Sequence, residues 1–154
     1  MSVMIRPAVE ADQSAIECVL RSGGLSRRVQ WPGFVVAEDQ GQLIGVGQVR
    51  PLRGGSRELA RVAVVRERRG EGIASSIIRA LIAHESGPLY GICLLEMSSY
   101  YEQFGFTIAT LHELPAALAM SYVLSRVAAA IVSAVSSRRF RVVAMRREPQ
   151  VPRA

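Results

Sequence analysis

Apolar positions recur along the chain with two different spacings, and the change from one to the other marks the expected helices and strands. Apolar residues three or four positions apart predict helices over residues 10–22, 73–82 and 114–137, with a short helix over 98–104. Apolar or β-branched runs bounded by turn residues predict strands over residues 3–6, 34–37, 43–49, 58–65, 89–95, 106–109 and 139–145. The resulting order is β-α-β-β-β-α-β-α-β-α-β, which indicates one mixed α/β domain.

Length and composition agree with a single domain over residues 1–147, followed by a frayed tail over residues 148–154. A chain of 154 residues can bury a hydrophobic core, and 49% hydrophobic with 21% charged residues is typical of soluble globular proteins. Cys18 and Cys93 lie in apolar runs, with no Cys-x-x-Cys pair and no Cys/His cluster. We therefore expect two buried free thiols and neither a disulfide framework nor a metal site.

One segment, residues 114–137, is apolar enough to resemble a membrane span. Arg126 stands at its middle, where a charge costs about 2.5–3.5 kcal/mol to insert, and four serines weaken the span further. The segment is predicted to be a buried or half-buried helix, and no membrane partner is expected. Residues 1–7 lack the basic-then-apolar pattern of a signal peptide, so the expected location is cytoplasmic.

The chain has a net charge of +6, and all 19 of its basic residues are arginine. A basic surface attracts polyanions such as nucleic acid, an anionic membrane or a phosphorylated cofactor. The arginines are scattered, however, and aromatic residues make up only 6% of the chain. No stacking platform or basic helix stands out, so nucleic acid is not expected as a partner.

The most informative segment is residues 62–76, where a strand leads through a glycine-containing turn directly into a helix. Such a turn aims unpaired backbone N–H groups and the positive end of the helix dipole at one point. Gly70 and Gly72 lack a Cβ, so a phosphate can approach the backbone closely. A P-loop would require Gly-Lys-Ser/Thr, and the chain has no lysine; a dinucleotide fingerprint would require glycine where Ser75 stands. The segment predicts a pyrophosphate site of another kind.

Two motifs together resemble the GNAT superfamily of acetyl-CoA-dependent N-acetyltransferases. Arg69-Gly-Glu-Gly-Ile-Ala74 fits the pattern Arg/Gln-x-x-Gly-x-Gly/Ala, and Tyr101-Glu-Gln-Phe-Gly-Phe106 is similar to the signature Tyr-Glu-x-x-Gly-Phe. The Glu-Leu-Ala-x-x-x-Val strand at Glu58 resembles N-acetylglutamate synthase acetyltransferase domains and small stand-alone bacterial members. The resemblance extends over nearly the whole chain. It implies the GNAT fold, a central mixed, mostly antiparallel twisted sheet flanked by helices.

The resemblance also implies where acetyl-CoA binds. The backbone of residues 62–64 would bind the pantetheine arm, and main-chain N–H groups of residues 70–75 would bind the pyrophosphate. Arg66 and Arg68 either lie near the phosphates or form a solvated loop face. The implied cofactor-binding residues are Val62, Ala63, Val64, Arg69, Gly70, Glu71, Gly72, Ile73, Ala74 and Ser75.

Two catalytic roles follow from the same resemblance. Tyr101 corresponds to the tyrosine that protonates the departing CoA thiolate, with a core tyrosine as the alternative. Glu58, eleven positions before Arg69, matches the glutamate that acts as base; a solvated strand-edge glutamate, Glu96 or water are the alternatives. Glu58 shares a face with Val62 and Val64 if the strand runs without a bulge.

The expected function is an N-acetyltransferase that moves acetyl from acetyl-CoA to a primary amine by direct attack. The amine could belong to a small molecule, an amino acid or a peptide, and a substrate carboxylate could pair with Arg50, Arg53 or Arg57. The alternative is a non-catalytic acyl-CoA-binding regulatory module, which the presence of both Tyr101 and Glu58 disfavours. The sequence leaves open whether the chain forms a homodimer.

Overall fold

The computed structural model describes residues 2–25 and 28–149, so residues 150–154 of the expected frayed tail lie outside the described residues. Secondary structure elements follow one another in the predicted order. The strands are β1 (Met4–Pro7), β2 (Phe34–Asp39), β3 (Gln42–Pro51), β4 (Arg57–Val64), β5 (Leu89–Leu94), β6 (Phe106–Ala109) and β7 (Val142–Arg147). The helices are α1 (Gln13–Ser22), α2 (Ile73–Ala83), α3 (Ser98–Glu102) and α4 (Ala116–Val135).

The strands form one sheet in the order β1-β2-β3-β4-β5-β7-β6. The pairs β1–β2, β2–β3, β5–β7 and β6–β7 are antiparallel, and β4–β5 is parallel. Gln40 and Gly41 both have positive φ, which is the two-residue turn that suits a β2–β3 hairpin. This arrangement confirms the predicted mixed, mostly antiparallel sheet with flanking helices.

Backbone contacts divide the chain into two compact units. The first unit consists of Met1–Arg50 and Leu59–His84, and the second of Pro51–Glu58 and Glu85–Ala154. In the first unit, α1 turns Ile16 and Leu20 toward Val36 and Val46 of the hairpin, and these side chains are almost completely buried. Burying each such side chain stabilises the fold by about 1.5–3 kcal/mol.

In the second unit, β7 lies between β5 and β6, and the core forms on the face that α4 covers. Leu118 and Tyr122 of α4 pack with Tyr90 and Ala144 of the strands. Arg147 is buried at the end of β7, where its Nε donates to the carbonyl of Phe104 at 2.7 Å. This hydrogen bond holds the chain just after α3 in place.

The prediction for α4 as a buried or half-buried helix is wrong. Only Leu118 and Tyr122 are buried on it, because one face alone contacts the sheet while the sequence is apolar on both faces. Among the described residues, α4 is the one helix with the length and composition to cross a membrane. Its most apolar stretch has a mean hydropathy of 1.8 and is only 6% buried.

Two smaller expectations also need correction. The last strand begins at Val142 rather than Arg139, because Ser133 Oγ at the end of α4 accepts the Phe140 N–H at 2.7 Å and holds this segment out of the sheet. Cys18 is exposed and Cys93 is half-buried, so the expected pair of buried thiols is not found.

Candidate active site

The turn between β4 and α2 exposes its backbone. Gly70 and Gly72 have φ values of 84° and 77°, a left-handed conformation that other residues adopt only with strain. Apart from the glycine itself and its two chain neighbours, no described residue has an atom within 4 Å of the position that a Cβ would take on either glycine, so the turn is open to a ligand. We call the stretch from Arg69 to Ser75 the β4–α2 turn.

Helix α2 begins at Ile73 without a side-chain cap. Within the described part of the chain, the N–H groups of Ile73 and Ala74 donate to no backbone or side-chain acceptor. The first turn of a helix normally needs such partners, and its positive dipole end favours an anion. The β4–α2 turn therefore has the chemistry of a phosphate site.

Close packing fixes the position of α2. A Cβ added to Gly47 of β3 would lie 2.6 Å from Ile77 Cγ2 and 3.0 Å from Leu81 Cδ1, and one added to Gly45 would lie 2.9 Å from Ile77 Cδ1. The glycines let the helix approach the sheet closely. Gly45 and Gly47 are functional positions that the motifs did not reveal, although two glycines inside an apolar strand are the pattern of close approach.

The arginines of the turn fix its conformation. Arg68 donates to Asp39 Oδ2 at 2.8 Å and to Glu71 at 2.9 Å, and these hydrogen bonds raise the pKa of its guanidinium. Arg69 Nε donates to the carbonyl of Val64 at 3.1 Å. Arg68 thus binds both Glu71 and Asp39 of β2, whereas Arg66 is exposed and has no ion-pair partner in the described ranges.

Strand β4 is interrupted at Arg61. This residue has a φ of 55°, and its Nη1 donates to Gln48 Oε1 at 2.7 Å. Two consecutive residues are buried before it, Glu58 and Leu59, and two after it, Ala63 and Val64, so the alternation of a regular strand is lost. Glu58 was expected to share a face with Val62 and Val64 only if the strand ran without a bulge, and the left-handed Arg61 means that this condition is not met.

Glu58 is a buried carboxylate, only 5% exposed, and lies opposite Tyr90 in the parallel β4–β5 pair. It is therefore not the solvated strand-edge glutamate that was the alternative. Glu96, the reserve candidate, is exposed after β5 and lines a cavity of about 490 Å³ together with residues 138–141.

Tyr101 lies on α3 with its ring packed edge-on against Phe106, at 6.0 Å between centroids, and against Tyr100, at 5.4 Å. Burial, with smaller contributions from Cys93 and Tyr100, raises the pKa of Tyr101 to about 12. In the part of the chain that the structure describes, its hydroxyl makes no hydrogen bond. Tyr101 thus keeps its proton at neutral pH and has that proton available for a ligand.

The arginines proposed for a substrate carboxylate differ in their surroundings. Arg57 is already bound to Glu85, at 2.6 Å from Nε and 2.8 Å from Nη2. Contrary to the expectation, it is not available to a substrate carboxylate. Arg53 is exposed and makes no ion pair within the described residues.

Comparison with known proteins identifies the class of this molecule. Solved structures with the same fold include N-acetylglutamate synthase from Neisseria gonorrhoeae complexed with coenzyme A and N-acetyl-glutamate, at 19% identity and a TM-score of 0.74. That alignment covers 98% of this chain but only 36% of the synthase, so the chain spans about a third of its length.

Two further structures match over nearly their full lengths. Rv2747 from Mycobacterium tuberculosis, solved with CoA, is 19% identical with a TM-score of 0.69, covering 96% of this chain and 99% of that one. The protein yncA from Salmonella typhimurium, solved with its cofactor acetyl-CoA, is 15% identical with a TM-score of 0.68. That alignment covers 100% of this chain and 98% of yncA. At these identities the likeness establishes the fold.

The family follows from the sequence itself. The family model for an acetyltransferase (GNAT) domain matches residues 30–108, a range that includes the β4–α2 turn and the motif from Tyr101 to Phe106. No curated protein matches the sequence significantly. The chain belongs to the GNAT family of N-acetyltransferases, as the two motifs predicted.

Proposed function

We propose that this acetyltransferase takes acetyl from acetyl-CoA and transfers it to a primary amine by direct attack. The observation that carries the proposal is the open β4–α2 turn, where two left-handed glycines precede an uncapped helix. A pyrophosphate is a ligand that this group of N–H donors suits. The CoA and acetyl-CoA bound in structures of the same fold support the same donor.

The proposed cofactor contacts are mostly backbone contacts. The N–H groups from Gly70 to Ser75 would bind the pyrophosphate, and the backbone of residues 62–64 would bind the pantetheine arm. Val62 is only half-buried, whereas the side chains of Ala63 and Val64 are buried in the core, which leaves main-chain groups for this role. The proposed chemistry requires no metal.

In the proposed reaction, the amine nitrogen forms a bond to the thioester carbonyl carbon, and the C–S bond then breaks. The attacking nitrogen must lose a proton, and we assign the role of the base that accepts it to Glu58 or to water. The sulfur that leaves carries the electron pair and receives a hydrogen bond, then a proton, from Tyr101. An unperturbed thiol has a pKa of about 8.5, so a tyrosine with a pKa of about 12 cannot protonate a free thiolate favourably.

That difference in pKa constrains the role of Tyr101. The sulfur becomes more basic as the C–S bond breaks, but it never becomes more basic than the free thiolate. Proton transfer from Tyr101 is therefore favourable overall only if the proton lost by the amine is passed on to restore the tyrosine. Tyr101 would therefore stabilise charge that develops in the transition state, and it would contribute little to the binding of acetyl-CoA.

The cofactor part of the proposal is tested by Gly72→Val. A side chain at a φ of 77° strains the β4–α2 turn, and we expect acetyl-CoA to lose its ability to raise the melting temperature. Gly54→Val is the matched control, since Gly54 has a φ of 86° with no other described atom within 4 Å of its Cβ position, and it lies in the loop between β3 and β4. Equal stabilisation of both variants by acetyl-CoA would place the phosphate site elsewhere.

The acceptor is tested by thiol release from acetyl-CoA with amino acids, polyamines, aminoglycosides and peptides as separate panels. We expect one class of amine to give turnover above the hydrolysis background. Acetyl-CoA binding without turnover on any amine would instead favour the non-catalytic acyl-CoA-binding module.

A further inference from the structure

The outer face of α4 is apolar along its whole length. Its large residues are mostly solvent-exposed, from 52% to 83%: Met120 (65%), Leu124 (61%), Val127 (52%), Ile131 (60%) and Val135 (83%). A contiguous exposed apolar patch of this kind marks an interaction surface in a soluble protein.

The spacing on this face is that of a helix that packs against another helix. Met120, Leu124, Val127, Ile131 and Ala134, which we call the α4 seam, are separated by four, three, four and three residues. Apolar positions alternating by three and four form the contact line of paired helices. All five are exposed, and none is polar.

The polar residues of α4 lie away from the seam. Arg126 is on its flank, where the guanidinium lies 5.7 Å from the centroid of the Tyr122 ring. Ser133 points toward the segment before β7, since its Oγ accepts the N–H of Phe140. The helix is thus oriented with Leu118 and Tyr122 toward the sheet and the seam outward, so an apolar surface lies where a water-facing helix carries polar residues.

This orientation argues against a membrane surface as the partner. Helices that lie in the membrane interface carry Lys or Arg along the face opposite to the apolar one, together with large aromatic residues on the apolar face. Here the opposite face packs on the sheet through Leu118 and Tyr122, and the seam contains no aromatic residue.

Charge at the two ends of α4 sets the direction of pairing. Glu113 precedes the helix, Arg138, Arg139 and Arg141 follow it, and no acidic residue lies between Glu113 and Glu148. Hydrogen bonds from Thr110, and to a smaller extent the charge of Arg146, lower the pKa of the Glu113 carboxyl, so this group carries a negative charge at neutral pH. The three arginines form no ion pair within residues 2–25 and 28–149. Antiparallel pairing places the acidic start of one α4 helix against the basic end of its partner, whereas parallel pairing would bring the six arginines of the two copies together.

We propose that the α4 seam binds the α4 seam of a second copy of this chain, with the helices antiparallel across a two-fold axis near Val127. The helix has 20 residues and is about 30 Å long, so the seam can be covered from end to end by its symmetric partner. Helix dipoles also favour the antiparallel arrangement.

The first test is the mass of the protein in solution, by light scattering on a gel-filtration column. We expect twice the chain mass of 16.8 kDa for the wild type. The double variant Leu124→Glu, Ile131→Glu should raise the dimer dissociation constant by about 100-fold or more, because like charges would meet in a dry contact. Ser121→Glu is the matched control: it lies on the same helix, exposed but outside the seam, and should leave the dimer intact.

The second test fixes the geometry, using Cys18→Ser to remove the exposed thiol. In that background Val127→Cys should form a disulfide-linked dimer on oxidation, since the two-fold axis brings residue 127 close to itself. Met120→Cys should not, because antiparallel copies place the two residues about 20 Å apart, beyond disulfide reach.

Any one of four results would overturn the proposal. One is a wild-type monomer at every accessible concentration, and another is a dimer that the double variant leaves unchanged. The third is flotation of the wild type, but not the double variant, with phosphatidylglycerol vesicles, which would make the seam a membrane contact. Cross-linking through Met120→Cys in place of Val127→Cys would contradict the antiparallel arrangement.

Discussion

The two units present chemistry of different kinds. In the first unit, the β4–α2 turn exposes main-chain N–H groups whose position depends on left-handed glycines and on the close packing of α2. In the second unit, the candidate catalytic groups are the side chains of Glu58, which is buried, and Tyr101, whose pKa burial raises. Substitutions in the first unit should therefore change cofactor affinity or stability, whereas side-chain substitutions in the second should change the rate. The following predictions test this separation.

The largest effect is expected from Tyr101→Phe, which removes the hydroxyl and keeps the ring against Phe106. The loss should appear in kcat, by roughly 10²–10⁴-fold, with acetyl-CoA affinity nearly unchanged. Steady-state kinetics and a binding titration measure the two quantities. Tyr100→Phe, on the same helix, should be nearly neutral. A fall in acetyl-CoA affinity without a fall in kcat would make Tyr101 a cofactor contact. The division of cofactor binding and catalysis between the two units would then be wrong.

A smaller effect, on stability, is expected from Gly47→Val. The added side chain would meet Ile77 and Leu81, so we expect a loss of about 1–3 kcal/mol in the free energy of unfolding by denaturant titration. Gly87→Val is the control, since no described residue other than its chain neighbours lies within 4 Å of the Cβ position of Gly87. Equal stability of the two variants would mean that α2 is not held by close packing on β3.

The smallest effect is expected from Glu58→Gln, and it should depend on pH. The attacking amine needs a base most when it is protonated, so kcat/KM should fall most at low pH, by about 10-fold or more, and recover as pH rises. Glu96→Gln serves as the comparison. A pH–rate profile identical to the wild type for Glu58→Gln, with a changed one for Glu96→Gln, would move the base to the cavity beside residues 138–141.

Local sequence was sufficient to predict the β4–α2 turn and the motif at Tyr101, because turn chemistry depends on a few neighbouring residues. The left-handed Arg61 and the Arg57–Glu85 pair could not be predicted in this way, since each depends on a partner distant in sequence or on the path of the backbone. The exposure of α4 was also missed. Apolar residues occur on both of its faces, so hydropathy predicts a helix but not which face the sheet covers.

The central claim is that main-chain N–H groups of the β4–α2 turn bind the pyrophosphate of acetyl-CoA. The most direct measurement is a titration of ¹⁵N-labelled protein with CoA, following the backbone amide resonances by NMR. We expect the amides of Gly70, Gly72, Ile73 and Ala74 to shift more than those of Gly54 and Gly87, which lie in other loops, and to exchange more slowly with solvent once CoA is bound. Saturable binding of CoA that leaves these four amides unshifted would contradict the account.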